Sequence, residues 1–192
     1  MTALNLQPIN TVSQPTIETK RLTLRPFRLS DAPVVQLLAG ERDIADTTMN
    51  IPHPYRDGMA EEWIVGHKSA YEDGKAITFA ITVRDNDSLV GAIGLRIDRA
   101  CNEAELGYWV GKPFWNRGYA TEATIAILAF GFDELQLNRI HAAHLGRNLS
   151  SGRVMEKSGM LLEGTARKDT MKWGRYEDWV SYVLLREDWL RR

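Results

Sequence analysis

The stretch that most constrains the fold lies past the middle of the chain, where GYWVGKPFWNRGYATEA (107–123) begins like a buried strand and ends like a helix. The helical spacing continues to Leu135, and the strand-like segment RIHAAHL follows it. A strand, a helix and a second strand in this order make a βαβ-like crossover, which lays two strands side by side in parallel. The other strands must therefore join a sheet that contains one parallel pair.

Hairpin patterns surround this crossover and predict that the rest of the sheet is antiparallel. ITFAITVRD and LVGAIGLRID flank Asn86-Asp87-Ser88, which is a hairpin signature, and EAELGYWVG follows soon after. RLTLRPF precedes them as a strand, and LLEGTARKD and YEDWVSYVLL end the chain as two more. This order predicts an α/β (α+β) fold with a mixed, mostly antiparallel central sheet of about seven strands flanked by about four helices.

Capping and breaking residues delimit the four predicted helices. Ser30-Asp31 caps the first helix, and Asp57 caps the second. The third helix spans residues 120–135, where the apolar residues have helical spacing. The fourth is short, because it begins near Asn148 and Gly159 is its stop signal.

The composition narrows the class of protein. The 192 residues carry a formal net charge of −1, without the basic excess that nucleic-acid binders show. One cysteine, Cys101, cannot form an internal disulfide, and no apolar run approaches the ~20 residues that a membrane helix needs. We expect a cytoplasmic protein with a flexible polar arm over residues 1–16 and a single domain over residues 17–192, without nucleic-acid or membrane partners.

The loop before the third helix has the properties of an anion site. A helix that starts near Gly118 presents unpaired backbone N–H groups and the positive end of its dipole. Gly118 and Ala120 are small where a ligand would approach, and Arg117 adds a positive charge. These features suit a phosphate or pyrophosphate, although a tight turn that needs a glycine explains the same residues. The signature motifs of triphosphate hydrolysis and of nicotinamide binding, G-x-x-x-x-G-K-[ST] and G-x-G-x-x-G, are missing.

Six segments, in order, resemble the GNAT superfamily of acyl-CoA-dependent N-acetyltransferases, and within it the RimJ/RimL-type ribosomal-protein N-terminal acetyltransferases. They are TKRLTLRPF, NIPHPY, AELGYWVGKPFWNRGYATEA, NLSSGRVMEKSGM, LEGTAR and YEDWVSYVLL, and they span Thr19 to Leu185. The resemblance implies a GNAT-like sheet with one splayed strand pair that binds acetyl-CoA as co-substrate. It also implies transfer of an acetyl group to a primary amine, which in this branch is a protein N-terminal α-amine.

The resemblance assigns acetyl-CoA to the strand-to-helix junction. The loop from Trp115 to Ala120 is expected to wrap the pyrophosphate with backbone N–H groups, and the strand around Trp109 to hydrogen-bond the pantetheine along its free edge. Trp115 stands where many members of the superfamily have Gln or Arg, as is usual in this branch. The implied cofactor-binding residues are Tyr108, Trp109, Val110, Trp115, Asn116, Arg117, Gly118, Tyr119, Ala120, Thr121, Asn148 and Ser151.

Glu105 is the candidate general base, which would take a proton from the acceptor amine. The resemblance places a glutamate base, usually acting through water, at this position on the strand before the cofactor loop. Glu103 lies two residues away on the same face of the strand. It is either a rival base or a neighbour that raises the pKa of Glu105, and a solvent-facing structural carboxylate remains the simpler alternative.

Ser151 is the candidate acid for the departing thiolate. Many members of the superfamily have a tyrosine acid where this chain has Met155, which cannot donate a proton. Ser151 takes that role, or water does, or the thiolate leaves unaided. In this branch the matching N-x-x-S segment lies near the pantetheine and sulfur, so Asn148 is expected to contact the cofactor, to cap the short helix, or both.

The acceptor is the part of the function that the sequence leaves open. The resemblance places its site between the NIPHPY loop with the second helix and the last hairpin, which carry charges of both signs. A peptide N-terminus suits mild base catalysis, because an α-amine has a pKa of about 8 against about 10.4 for lysine. Polyamines, amino acids and aminoglycosides remain alternatives, as does a non-catalytic acyl-CoA-binding sensor.

The four histidines predict no metal site, because no His/Cys/Asp spacing matches a set of metal ligands. His141 and His144 fall on opposite faces of one strand, and His67 is expected at the surface of the second helix. His53 lies in the proline loop, which borders the acceptor cleft in this branch. The chain has no heptad pattern, so we expect a monomer or a weak homodimer.

Overall fold

The computed structural model describes residues 13–192. Most of the predicted N-terminal arm, residues 1–12, therefore lies outside the described residues. Within the remainder of that segment, the side-chain amide of Gln14 donates a hydrogen bond of 2.8 Å to the carbonyl of Thr78. The chain is thus already in contact with the sheet before the first strand begins.

Eight strands form one open sheet with the spatial order β1-β2-β3-β4-β5-β6-β8-β7. Only β5 and β6 pair in parallel, and every other neighbouring pair is antiparallel, which confirms the predicted mixed sheet. The additional strand is β1, which has two residues and pairs with β2. The strands are β1 Ile17–Glu18, β2 Leu22–Pro26, β3 Ala76–Val83, β4 Leu89–Asp98, β5 Glu103–Val110, β6 Arg139–Leu145, β7 Leu161–Lys172 and β8 Arg175–Leu185.

Within residues 13–192, six helices flank the sheet, two more than the sequence predicted. The predicted four correspond to α1, α3, α4 and α5, whereas α2 and α6 have only six and four residues and escape a pattern search. The helix predicted over residues 120–135 leaves α-geometry early, since a π-helical turn covers Phe130–Glu134. The helices are α1 Ala32–Ala39, α2 Arg42–Thr47, α3 Met59–Glu72, α4 Tyr119–Ala129, α5 Leu149–Lys157 and α6 Arg186–Trp189.

Two predicted helix caps are wrong in their chemistry. Asp31 precedes α1, but its carboxylate bonds the buried Arg25 at 2.8 and 2.9 Å instead of capping the helix. Burial would raise the pKa of Asp31, but hydrogen bonds from Arg25 and from the backbone of Arg28 lower it overall. Gly58, and not Asp57, is the N-cap of α3, with φ at 86°. An ion pair with a buried arginine outcompetes a helix cap for the Asp31 carboxylate.

A hydrophobic core lies on each face of the sheet. One core contains Ala123, Ile127 and Leu128 of α4 and Met155 of α5, packed against the even-numbered residues of β5. The other contains residues of α1 and α3 packed against Trp109 of β5. The alternation of β5 between the two cores fixes which of its side chains can reach each face.

His67 is more buried than the sequence predicted. It is half-buried on α3, with its ring 4.4 Å from that of Trp63 and 5.3 Å from that of Phe27, measured between centroids. Burial lowers the pKa of His67 to about 4.

Within residues 13–192, none of the helices combines the length and the apolar character that crossing a membrane requires.

Candidate active site

The parallel strands β5 and β6 pair over three residues only and then separate. Glu103, Ala104 and Glu105 are opposite residues 139–141, and no pairing between the two strands continues beyond them. Strand β5 runs on to Val110, paired on its other side with β4 throughout. The predicted splayed pair is therefore present, and it opens a gap in the sheet directly after Glu105.

The backbone of Tyr108 and Val110 faces this gap. The N–H of Gly111 donates to the carbonyl of Val90, and hydrogen-bonded pairs alternate along an antiparallel ladder. The polar groups of Trp109 therefore point to β4, and those of Tyr108 and Val110 point away from it. The indole N–H of Trp115 already occupies the Val110 carbonyl at 2.6 Å. An extended ligand in the gap can bond the remaining groups like an added strand.

The loop after β5 ends in an exposed helix N-terminus. Asn116 and Gly118 have positive φ angles of 60° and 77°, which turn the chain sharply into α4. The first helical hydrogen bond runs from Glu122 N–H to the Gly118 carbonyl. The N–H groups of residues 119–121 therefore have no carbonyl of the helix to bond, and they provide positive partial charge toward the gap.

Glu122 fixes this helix start to the N-terminal strands. Its carboxylate accepts hydrogen bonds from the hydroxyl of Thr19 at 2.7 Å and from the side chain of Arg21 at 2.7 Å. The guanidinium of Arg21 also donates to the carbonyl of Arg117 at 2.9 Å. Burial would raise the pKa of Glu122, but these hydrogen bonds lower it overall, so the carboxylate stays ionised and the loop is held in place.

One cavity of about 1680 Å³ collects all of the predicted site residues. It is lined from both faces of the sheet, by α4 and α5 on one side and by the chain around α2 and α3 on the other. Arg153 and Lys157 of α5 also line it, and with Arg117 they make this end positively charged. These two cations were not among the site residues predicted from the sequence. Their spacing of four residues places them on the same face of one helix, and this signal could have identified them.

Glu105 lies on the face of β5 that looks toward α1 and α3, at the last paired position before the gap. Its carboxylate forms an ion pair with the exposed Arg96 of β4. Glu103, the alternative base, bonds Arg139 at 2.8 Å and does not line the cavity. Of the two carboxylates, Glu105 alone lines the cavity.

Ser151 lies on the opposite face, in the first turn of α5. Its hydroxyl is 2.8 Å from the hydroxyl of Tyr108, a pairing that the sequence did not predict. Its backbone N–H bonds the side-chain oxygen of Asn148, which is the N-cap of α5. Asn148 also donates to the Thr47 carbonyl at 3.2 Å, and Met155 is buried with 1% exposure. Asn148 thus has a structural role, and Met155 belongs to the core.

His144 also lines the cavity, and its Nε2 is buried without a hydrogen-bond partner among residues 13–192. His144 is buried on β6, with Nδ1 2.8 Å from the Leu145 carbonyl. Asp98, Cys101 and Glu103 lie close enough together to bind a metal ion, at the turn between β4 and β5. Asp98 already accepts hydrogen bonds from backbone N–H groups of this turn. The cluster lies at a turn on the surface, outside the cavity.

Comparisons with known proteins agree with this geometry. A family model described as an acetyltransferase (GNAT) domain matches residues 21–161. The uncharacterized N-acetyltransferase p20 of Bacillus licheniformis is 32% identical over 176 residues, which are 91% of this chain and 98% of the relative. A solved GNAT-family acetyltransferase from Bacillus anthracis has a TM-score of 0.80 at 28% identity, covering 90% of this chain and 99% of that one.

A further solved structure is the ribosomal L7/L12 α-N-protein acetyltransferase RimL in complex with coenzyme A. It has a TM-score of 0.83 at 17% identity, covering 91% of this chain and 99% of that one, which shows the shared fold alone. The chain belongs to the GNAT family and is an N-acetyltransferase. The resemblance noted in the sequence is thereby confirmed at the level of family and fold.

Proposed function

We propose that this protein transfers the acetyl group of acetyl-CoA to a primary amine, and that the acceptor is a protein N-terminal α-amine. The observation that supports the proposal is the cavity that passes through the gap after Glu105. Its positively charged end at α4 and α5 fits a pyrophosphate, and the free edge of β5 fits the extended pantetheine. Its other end, beside α2 and α3, is open to an acceptor.

Each predicted residue then has a distinct task. Bound acetyl-CoA supplies an activated acetyl thioester. The N–H groups of residues 119–121, with Arg117, hold its phosphates, and the backbone of Tyr108 orients its arm. Glu105 takes a proton from the acceptor amine on one face of the sheet, directly or through water. Ser151 donates a hydrogen bond to the leaving sulfur on the other face.

The lining of the acceptor end favours an amine that carries little additional charge. Five apolar or aromatic side chains line it, with Glu62 as a nearby carboxylate; they are Met49, Ile51, Tyr55, Met59 and Trp63. A polyamine carries several positive charges, so its site needs several carboxylates to compensate them. A peptide N-terminus carries one, and its pKa of about 8 makes it easier to deprotonate than a lysine. RimL, which is named as an α-N-protein acetyltransferase, has the same fold.

A screen of acceptors with acetyl-CoA tests the proposal through the release of free thiol. Peptides with different N-terminal residues are compared with polyamines, amino acids and aminoglycosides. We expect turnover with peptides; turnover with a small amine alone would replace the peptide by that acceptor. If none of these acceptors causes thiol release although CoA binds tightly, the result would favour a non-catalytic acyl-CoA sensor.

The assignment of the base is tested by Glu105→Gln, with Glu103→Gln as the matched control. A general base contributes about 10²–10⁴-fold to the rate, so we expect a loss of this size in Glu105→Gln and little loss in the control. CoA affinity should stay near that of the wild type in both variants, because neither carboxylate faces the positively charged end. Full activity of Glu105→Gln would show that Glu105 is structural.

The proposal also covers the setting of the enzyme. The single cysteine, Cys101, is an exposed free thiol, which supports a cytoplasmic location. The continuous sheet supports a single domain over residues 17–192. The large exposed apolar side chains are spread over several elements, which supports a monomer or a weak homodimer. Sedimentation that shows a stable higher oligomer at micromolar concentration would contradict the last point.

A further inference from the structure

Two hydroxyl groups from different elements meet at the edge of the gap. Tyr108 comes from the splayed part of β5 and Ser151 from the first turn of α5, and their oxygens are 2.8 Å apart. Both residues are partly buried and both line the cavity. The pair therefore lies on the face of the sheet that carries the positively charged end, opposite Glu105.

The chemistry of the two groups sets the direction of this hydrogen bond. The distance fits either hydroxyl as donor, and we assign the donor role to Tyr108 because a phenol is a stronger donor and a weaker acceptor than an alkyl hydroxyl. Burial raises the pKa of Tyr108 to about 12, against a smaller lowering by its bond to Ser151. The phenol thus keeps its proton at neutral and mildly alkaline pH. Ser151 Oγ accepts from Tyr108 and keeps its own hydrogen for a third group.

Ser151 is held from a second side as well. Its backbone N–H bonds the side chain of Asn148 at 3.2 Å, which fixes the start of the nine-residue helix α5. With its main chain fixed by the cap and its oxygen fixed by the phenol, the remaining freedom of the side chain is rotation of the O–H bond. The helix dipole at this position favours negative charge nearby.

We propose that Tyr108 is a positioning residue, which orients the Ser151 hydroxyl toward the sulfur that leaves in acetyl transfer. The inference rests on the proposed function, because it requires a thioester in the gap. It explains how the site can function with Met155, whose thioether is buried and has no proton to donate. It also assigns a task to the side chain of Tyr108, whose backbone alone was expected to contact the cofactor.

The step is balanced without a proton from either hydroxyl. The amine nitrogen forms the new bond to the acetyl carbon, the carbon–sulfur bond breaks, and its electron pair goes to sulfur. Glu105 takes the proton that the nitrogen loses. The Ser151 hydroxyl donates a hydrogen bond to the thiolate, which takes its proton from solvent after release.

Binding of coenzyme A tests this inference without an acceptor amine. Affinities for CoA and for desulfo-CoA, which lacks the sulfur, are compared between pH 7 and pH 9.5. The thiol of cysteine ionises at about pH 8.5, and the alkyl thiol of CoA ionises at a higher pH, so the wild type should increasingly prefer CoA over desulfo-CoA toward the alkaline end of this range. We expect the preference to reach about tenfold, as for a hydrogen bond to a charged group.

Three variants distinguish positioning from mere packing. Tyr108→Phe keeps the ring and Ser151→Ala keeps the helix, and each should lose most of the rise in preference for CoA. The double variant should lose no more than Ser151→Ala alone, because the two groups act as a unit. Tyr71→Phe is the matched control, since Tyr71 is partly buried against the same core and does not line the cavity.

The outcomes separate this inference from the proposed function. The role of Tyr108 would be overturned if Tyr108→Phe kept the wild-type preference for CoA over desulfo-CoA. It would also be overturned if the loss of this preference in the double variant were the sum of the losses in the two single variants. Binding of CoA and desulfo-CoA with equal affinity at all pH values would overturn the role of Ser151 while leaving the cofactor site intact. Failure of the wild type to bind either compound would overturn the proposed function, and the inference with it.

Discussion

Gly118 is the N-cap of α4, at the helix N-terminus where we propose that the phosphates of acetyl-CoA bind. Its φ of 77° is one that side chains with a Cβ rarely adopt, and a Cβ there would lie 3.4 Å from the Arg21 guanidinium. Gly118→Glu would add a carboxylate where the site offers positive charge. We expect CoA affinity to fall by at least about tenfold, with the fold retained, as measured by titration calorimetry.

The matched control for Gly118→Glu is Gly58→Glu. Gly58 is also the N-cap of a helix and has a similar φ of 86°, and a Cβ added there would meet no other part of residues 13–192 within 4 Å. It does not line the cavity. Both variants carry the same backbone penalty, of about 1–2 kcal/mol, so only a specific effect on CoA distinguishes them. Equal CoA affinities in the two variants would exclude Gly118 from the site.

Single residues differ in how much their sequence context reveals. Gly118 and Arg117 could be assigned to an anion site because a helix start and a glycine are local features. The hydroxyl of Tyr108 could not be assigned, because its partner Ser151 lies 43 positions further along the chain. Both Glu103 and Glu105 are paired with an arginine, and only the structure shows that Glu105 lines the cavity and Glu103 does not. Features that depend on neighbouring residues can be predicted from the sequence. Contacts between residues that are far apart in the chain can be identified only from the folded structure.

At the scale of single elements, helix α5 packs closely on the sheet because the residue at the contact is a glycine, Gly152. A Cβ on Gly152 would lie 2.9 Å from Nε2 of His144 and 3.2 Å from the hydroxyl of Tyr182, both of which are buried. Alanine gains about 1 kcal/mol in helix propensity, but overpacking a core costs about 1–3 kcal/mol. We expect Gly152→Ala to lower the free energy of unfolding by about 1 kcal/mol in urea denaturation, and to weaken CoA binding by displacing Ser151.

Gly66→Ala on α3 provides the comparison of opposite sign. Gly66 is exposed, and a Cβ added to it would stay more than 4 Å from the rest of the described chain outside its own helix. The helix propensity then acts alone, and stability should rise by about 1 kcal/mol. If Gly152→Ala is stabilised as much as Gly66→Ala, α5 is free to shift on the sheet and the contact with His144 does not constrain it.

Elements of ordinary length were predictable, and short ones were not. Strands β2 to β6 and strand β8 carry alternating or continuous apolar patterns over five residues or more, whereas β7 is exposed along most of its length. Strand β1 has two residues and α6 has four, so each contains about one period of its pattern and neither repeats it. The π-helical turn at Phe130–Glu134 also has no signature of its own in apolar spacing. Apolar spacing can predict an element only when the element is long enough for the spacing to repeat.

At the scale of the whole molecule, the gap between β5 and β6 joins the two faces of the sheet. Glu105 approaches it from the side of α1 and α3, and the Tyr108–Ser151 pair from the side of α4 and α5. In the proposed reaction, the amine enters from one face while the sulfur leaves on the other. This arrangement follows from a parallel pair that stops after three residues, and the crossover in the sequence predicted the pair but not where its pairing ends.

The stability of the whole fold should depend on pH through His67. Its ring is packed against those of Phe27 and Trp63, and burial lowers its pKa to about 4 from an ordinary value near 6.5. The folded state therefore binds this proton more weakly than the unfolded state. The contribution to stability is complete above about pH 6.5 and is lost as the pH falls toward 4, by up to about 3 kcal/mol.

Urea denaturation of the wild type and His67→Gln between pH 7.5 and pH 4 measures this contribution. The variant loses the aromatic packing at every pH, so it should be less stable at pH 7.5. The difference in the free energy of unfolding between wild type and variant should shrink as the pH falls. Only the wild type has a histidine here, and that histidine binds a proton more strongly in the unfolded state than in the folded state. His53→Gln is the control, since His53 is exposed. If the stability difference for His67→Gln stays constant over this range, the burial of His67 does not govern the acid stability of the fold.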